Sequence, residues 1–169
     1  APDSGREEQD SGSAVPSSAA ADNPSGATIS QQNALSTAKS YLQVSNFSYQ
    51  GLIGQLEYEQ FYHADAVYGA DHCGANWNEQ ADQCAKAYLN VSAFSQQGLV
   101  DQLLYEKFTA EQAVYGAGYC GADWNEQAAQ CAKAYLEMSA FSREELINQL
   151  LYEKFTYEQA VYGVSANGL

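Results

Sequence analysis

The chain has 169 residues, 46% of them hydrophobic and 12% aromatic, which is enough apolar surface for a core and excludes disorder over the whole length. Seven Lys and Arg stand against 21 Asp and Glu, a formal net charge of -14. A chain this acidic repels phosphate backbones and anionic membrane surfaces and attracts basic partners, so nucleic acid is excluded as a general ligand.

Residues 1–28 contain all three Pro, no aromatic residue, and one Arg against five acids. An acidic Ser/Ala/Gly-rich segment of this kind buries too little apolar surface to offset its ordering entropy, and a disordered tether is expected. No apolar run of about 18 residues follows, so no membrane span is expected. No secretory signal is visible, and an initial Ala fits a processed form whose leader or anchor lay upstream. Membrane association is therefore expected only through a tether or lipid anchor that this chain does not contain.

From residue 29 the sequence repeats with a period of 47. AKSYL at 38–42 returns as AKAYL at 85–89 and 132–136; QLEYEQF at 55–61 returns as QLLYEKF at 102–108 and 149–155; AVYG at 66–69 returns at 113–116 and 160–163. The units are 29–75, 76–122 and 123–169, each of them acidic.

Three short helices are predicted in each unit. Helix A of the second unit covers 76–89, with Asn76 as N-cap and Glu79 placed to close a capping box. Asp123 and Glu126 repeat that pair. Ala81, Cys84, Ala85, Tyr88 and Leu89 fall on one helical face. Helix B starts at Ser48, Ser95 or Ser142. The Phe before each Ser and the Leu four residues after it have the spacing of a hydrophobic staple. Helix C starts at Thr109 or Thr156, with Gln112 or Gln159 completing a capping box; in the first unit Tyr62 replaces the Thr. Gly69, Gly116 and Gly163 stand where a left-handed residue would end helix C. No strand pattern competes. The expected fold is all-α: a tandem array of three small three-helix, helix-turn-helix-like repeats behind a tether. Helices this short are marginal alone and must be held by their neighbours.

The four cysteines, Cys73, Cys84, Cys120 and Cys131, lie in two matching blocks, CGANWNEQADQC and CGADWNEQAAQC. The first unit lacks the pair, so the pairs belong to the junctions between units. The favoured reading is two local disulfides, Cys73–Cys84 and Cys120–Cys131, each closing a loop of about 12 residues in an oxidising setting. Free buried thiols are the alternative. Zinc fits poorly, because the spacing is too long and no His matches.

The helix B–turn–helix C outline resembles a DNA reader, but helix C of the second unit offers Ala110, Glu111, Gln112, Ala113 and Val114 and no base. His63 and His72 occur only in the first unit and read as surface residues. No phosphate loop, calcium loop or HExxH occurs, and no cofactor or metal is expected. Nine of the 13 Tyr recur at matched positions, which argues for core with hydroxyls at the rim; Tyr49, Tyr62, Tyr119 and Tyr157 do not recur and are better candidates for exposure.

The string FSYQGLIGQLEYEQF, followed by AVYGADHCGANWNEQA, resembles the host cell surface-exposed lipoprotein family, also called Ltp-like, over roughly residues 34–165. That resemblance implies three-helix units displayed outside the cytoplasmic membrane. It implies a role in superinfection exclusion, in which such a lipoprotein blocks DNA injection by engaging the phage tape measure protein. Three departures stand out. No lipobox cysteine is present. The second Cys of each pair is an addition to the family pattern. Gln60, Lys107 and Lys154 occupy a position where the family often has Gly to end helix B.

The resulting expectation is a non-enzymatic, extracytoplasmic binding protein, secreted or anchored at the outer face of the cytoplasmic membrane. Its expected partner-binding residues are Glu57, Asp101, Glu106, Glu111, Glu153 and Glu158, near the helix B–helix C turns. The alternative is a structural or adhesive surface module that binds envelope material.

Overall fold

The computed structural model describes residues 26–169, so the tether expected over 1–28 lies, up to residue 25, outside the described residues. Among the described residues there are nine α-helices and no strand: α1 (Ile29–Val44), α2 (Tyr49–Tyr58), α3 (His63–His72), α4 (Trp77–Leu89), α5 (Gln96–Tyr105), α6 (Ala110–Tyr119), α7 (Trp124–Met138), α8 (Arg143–Tyr152) and α9 (Tyr157–Ala166). They form three units of three helices, α1–α3, α4–α6 and α7–α9.

Local chemistry starts each helix. Ser48, Ser95 and Ser142 cap α2, α5 and α8 by accepting from the N–H of the third helical residue. Thr109 with Gln112 and Thr156 with Gln159 form capping boxes, and Tyr62 makes no side-chain cap, as the sequence suggests. Thr28 and Gln31 form a further box at the start of α1. Asn76 and Asp123 accept from two backbone N–H groups each, without the reciprocal Glu bond.

Helix B ends the same way in all three units. Gln60, Lys107 and Lys154 adopt φ of 70°, 66° and 68°. Phe61 N–H donates to Leu56 O at 3.1 Å and Gln60 N–H to Glu57 O at 2.9 Å, which is the Schellman pattern, and the other units repeat it. The turn that glycine would make is therefore kept, at some steric cost, by Gln and Lys.

Helix C corrects the expectation that Gly69, Gly116 and Gly163 end it. α3, α6 and α9 run three residues further. A Cβ at Gly69 would meet Ala34 O at 2.9 Å; at Gly116 and Gly163 it would meet the backbone of Ala81 at 2.7 Å and of Ala128 at 2.6 Å. These glycines let helices A and C touch backbone to backbone. The left-handed glycines that follow helix C are Gly74, Gly121 and Gly168, with φ of 78°, 77° and 87°, just after the C-caps Cys73, Cys120 and Asn167.

Each unit has its own core. Leu52, Ile53 and Leu56 centre the first, Leu99 and Leu103 the second, and Leu146, Ile147 and Leu150 the third. Each staple Phe packs against the core of its own unit. The units meet through a repeated joint. Trp77, at the start of α4, packs on the first core and edge-on to Tyr49 at 5.5 Å; Trp124 packs on the second core. Gln80 Oε1 accepts from Phe47 N–H at 3.1 Å, and Gln127 Oε1 from Phe94 N–H at 3.2 Å. Ser48 Oγ donates to Glu106 O and Ser95 Oγ to Glu153 O, both at 2.5 Å. The third helical residue there is Gly51 or Gly98, where a Cβ would stand 3.7 Å from that carbonyl and only 2.9 or 3.0 Å from the capping serine's own Oγ. In the last unit that residue is Glu145, whose carboxylate takes the Ser142 hydroxyl at 2.7 Å instead.

Candidate functional site

The helix B–helix C turns carry the candidate acids, and the first question is what holds them. Glu106 and Glu153 are the C-caps of α5 and α8. Tyr88 Oη donates to Glu106 Oε1 and Tyr135 Oη to Glu153 Oε1, each at 2.5 Å, while Gln102 and Gln149 donate to the same Tyr oxygens. Tyr41, Glu59 and Gln55 repeat the arrangement in the first unit. Burial first, then the Glu106 carboxylate, pushes the Tyr88 phenol up to about 12. For Tyr135 the hydrogen bond to Glu153 comes first and burial second, again to about 12. These glutamates are thus fixed carboxylates at the edge of each core. Glu59 belongs with them, although sequence reasoning named only Glu106 and Glu153.

The other candidates are placed differently. Asp101 pairs with Lys154 of the next unit and accepts from Gln97, and these bonds hold its carboxyl below the usual range. Glu57 pairs with His63 at 2.7 Å on the surface. Glu111 and Glu158 are exposed in the first turns of α6 and α9, where a carboxylate suits the helix dipole. The six acids therefore do not converge on one point. They are spread along the array, with Glu106 and Glu153 built into the joints between units.

The structure corrects the disulfide expectation: Cys73, Cys84, Cys120 and Cys131 are all free thiols. The two members of each pair serve different units. Cys73 sits beyond α3 against the first core, where its thiol donates to Ala70 O at 3.2 Å, whereas Cys84 lies within the second core. Cys120 and Cys131 divide in the same way between the second and third cores. Burial pushes the Cys84 and Cys131 thiols up to about 11, with Glu106 and Glu153 adding to it, so both are protonated and inert near neutral pH. Among the described residues no three His, Cys, Asp or Glu are placed to hold a metal ion. His63 and His72 are exposed, and His72 stacks on Tyr68 at 4.0 Å.

The tyrosines divide in an unexpected way. Tyr41, Tyr88 and Tyr135 pack at the core rim as expected, edge-on to Phe47, Phe94 and Phe141. Tyr58, Tyr105 and Tyr152 recur just as regularly but are 77%, 80% and 80% exposed, which corrects their assignment to the core. Tyr62, Tyr119 and Tyr157 are exposed as anticipated, but Tyr49 is half-buried and donates to Asp71 at 2.7 Å. Two adjoining clefts of about 480 and 490 Å³ lie where the second and third units meet and share Ser92, Ala93, Cys131 and Glu153 in their walls.

This geometry defines a class: a stack of three near-identical helical units that presents fixed acids and exposed rings along its length. The family model described as host cell surface-exposed lipoprotein matches three times, over residues 30–73, 76–117 and 123–166. The chain belongs to that family. Among solved structures it is similar to Ltp, a superinfection exclusion protein from the Streptococcus thermophilus temperate phage TP-J34. That match has 28% identity and a TM-score of 0.53 and covers 55% of this chain and 97% of the other. No match is found among curated proteins. Among the described residues no helix is long and apolar enough to cross a membrane.

Proposed function

We propose that this protein is a non-enzymatic, cell-surface binding protein that acts in superinfection exclusion. The observation that carries this reading is the threefold match to the surface-lipoprotein family, joined to the likeness in fold to a phage exclusion protein. The mechanism is occupancy. A basic or amphipathic segment of an incoming phage's injection machinery, the tape measure protein, docks on the array and DNA passage stops. The net charge of -14 speeds that encounter, and apolar contacts hold the complex. Of the proposed contact acids, Glu111 and Glu158 are the ones whose carboxylates the fold leaves exposed and uses least.

The test anchors the chain at the outer membrane face of a susceptible host and counts phage DNA entry against adsorption. Normal adsorption with blocked entry is expected, and reversing Glu111→Lys and Glu158→Lys should weaken the block, more so at low salt. Normal entry across several phages overturns the reading. An adhesive module that binds envelope glycan would then lead, because exposed tyrosines also suit sugar rings, and that binding would be insensitive to salt.

A further inference from the structure

We infer that the docking face is the row formed by Tyr58, Tyr105 and Tyr152, and that its occupant is a cationic, apolar-studded protein segment lying along all three units. The inference rests on the exclusion reading for the identity of the partner, but the face is assigned from the structure.

The three rings are the last helical residues of α2, α5 and α8. None packs into a core, and their hydroxyls make no hydrogen bond among the described residues. The fold thus gains little from a large aromatic that it repeats three times at the same exposed place. Rings with this exposure are free to contact a partner. Leu104 and Leu151, each just before its Tyr, are also exposed.

Each ring is followed at once by Glu59, Glu106 or Glu153, whose carboxylate a core-rim Tyr hydroxyl holds at 2.5–2.7 Å. Every unit therefore offers an exposed aromatic ring and, on the next residue, a fixed negative charge. That combination suits Arg and Lys, which gain from the ring and the carboxylate together. A neutral glycan would gain from the ring alone.

The register is built in. The turns that carry Tyr105 and Tyr152 are docked on the preceding unit by the Ser48 and Ser95 hydroxyls. The two joints share the serine–carbonyl, glutamine–amide and tryptophan contacts, so the rings recur in a fixed series. A partner finds the turns that carry the rings already held in place and loses less free energy on binding. Tyr152 also borders the 490 Å³ cleft on one side and a hollow beside Phe141 on the other, which gives apolar side chains of the segment somewhere to enter.

The experiment titrates the full chain with a synthetic amphipathic Lys/Leu helix and, separately, with peptidoglycan, and repeats the DNA-entry assay on anchored chains. The variant is Tyr58→Ser/Tyr105→Ser/Tyr152→Ser; the control is Tyr119→Ser/Tyr162→Ser, which removes exposed rings from helix C. All five positions are exposed, so an unchanged melting curve is expected and confirms that both variants fold. The triple variant should bind the peptide at least about tenfold more weakly and lose the block to DNA entry, while the control keeps both. A triple variant that binds and blocks like the parent overturns the assignment. Loss of peptidoglycan binding alone makes the row a glycan reader and also overturns it. If the parent chain fails to block entry, the exclusion reading falls, and the peptide titration still decides whether the row takes a cationic segment.

Discussion

Cys84 and Cys131 show how burial sets the chemistry of a single side chain here. Both thiols face the core from helix A, and burial with a nearby glutamate raises them to about 11. Iodoacetamide at neutral pH should therefore label them slowly in the folded protein. After unfolding without reductant, all four cysteines should label, counted by mass; two disulfides would leave none to label. Tyr88 and Tyr135 provide a second residue-scale measurement. Their folded values are near 12, against an ordinary value of 10.0, so the folded state holds these protons more tightly than the unfolded chain does. The stability they contribute is present in full below pH 10 and is lost as pH rises toward 12. Phenolate absorbance should show these two tyrosines titrating last, and melting temperature should fall over that window. Tyr88→Phe/Tyr135→Phe should flatten the fall.

Within the elements, two positions in each unit carry the backbone's tightest demands. Gly163 meets the backbone of Ala128, so Gly163→Ala must spread α7 from α9 and should destabilise by about 2–3 kcal/mol in urea unfolding. Lys107 sits at φ 66° with a side chain that disfavours it, so Lys107→Gly should stabilise by about 1 kcal/mol. Sequence reasoning located the helices well because their signals are local. The capping Ser and Thr, the Phe–Leu staples and the helical apolar spacing all act within a few residues of where they are written. The glycines were harder to read. A recurring Gly serves either a left-handed turn or a close approach, and only the packing of helix A on helix C decides that Gly69, Gly116 and Gly163 serve the second. The Cys spacing misled for a similar reason, since the pair spans a junction whose two sides belong to different cores. The acids of the candidate site were visible as residues but not as partners. What fixes Glu106 is Tyr88, on another helix, and what its carbonyl accepts is a hydroxyl from another unit.

At the scale of the whole molecule, the question is whether three units unfold as one. Their cores are separate, so cooperation must pass through the joints. At the second joint these are the Ser95 hydroxyl on Glu153 O, Gln127 on Phe94 N–H, the Lys154–Asp101 pair and Trp124 on the second core. The first joint repeats them with one omission: Lys107 lies over Gly54, where the second joint has Asp101. The last unit indicates how to open a joint without breaking a helix. There Glu145 takes the Ser142 hydroxyl and closes a capping box with it, while Ser142 still accepts from the Glu145 N–H. Gly98→Glu should do the same for α5: keep its cap, withdraw the Ser95 hydroxyl from Glu153 O and crowd the approach of that turn. The chain has two tryptophans, one at each joint, so a Trp77→Phe background leaves Trp124 to report on the second joint alone. In that background, urea unfolding followed by Trp124 fluorescence and by far-UV circular dichroism should give one coincident transition. Adding Gly98→Glu should move the fluorescence midpoint to lower urea than the dichroism midpoint, as the third unit detaches before the helices melt. If the two signals stay coincident after that substitution, the hydroxyl is not what couples these units, and Trp124 packing must carry the joint instead.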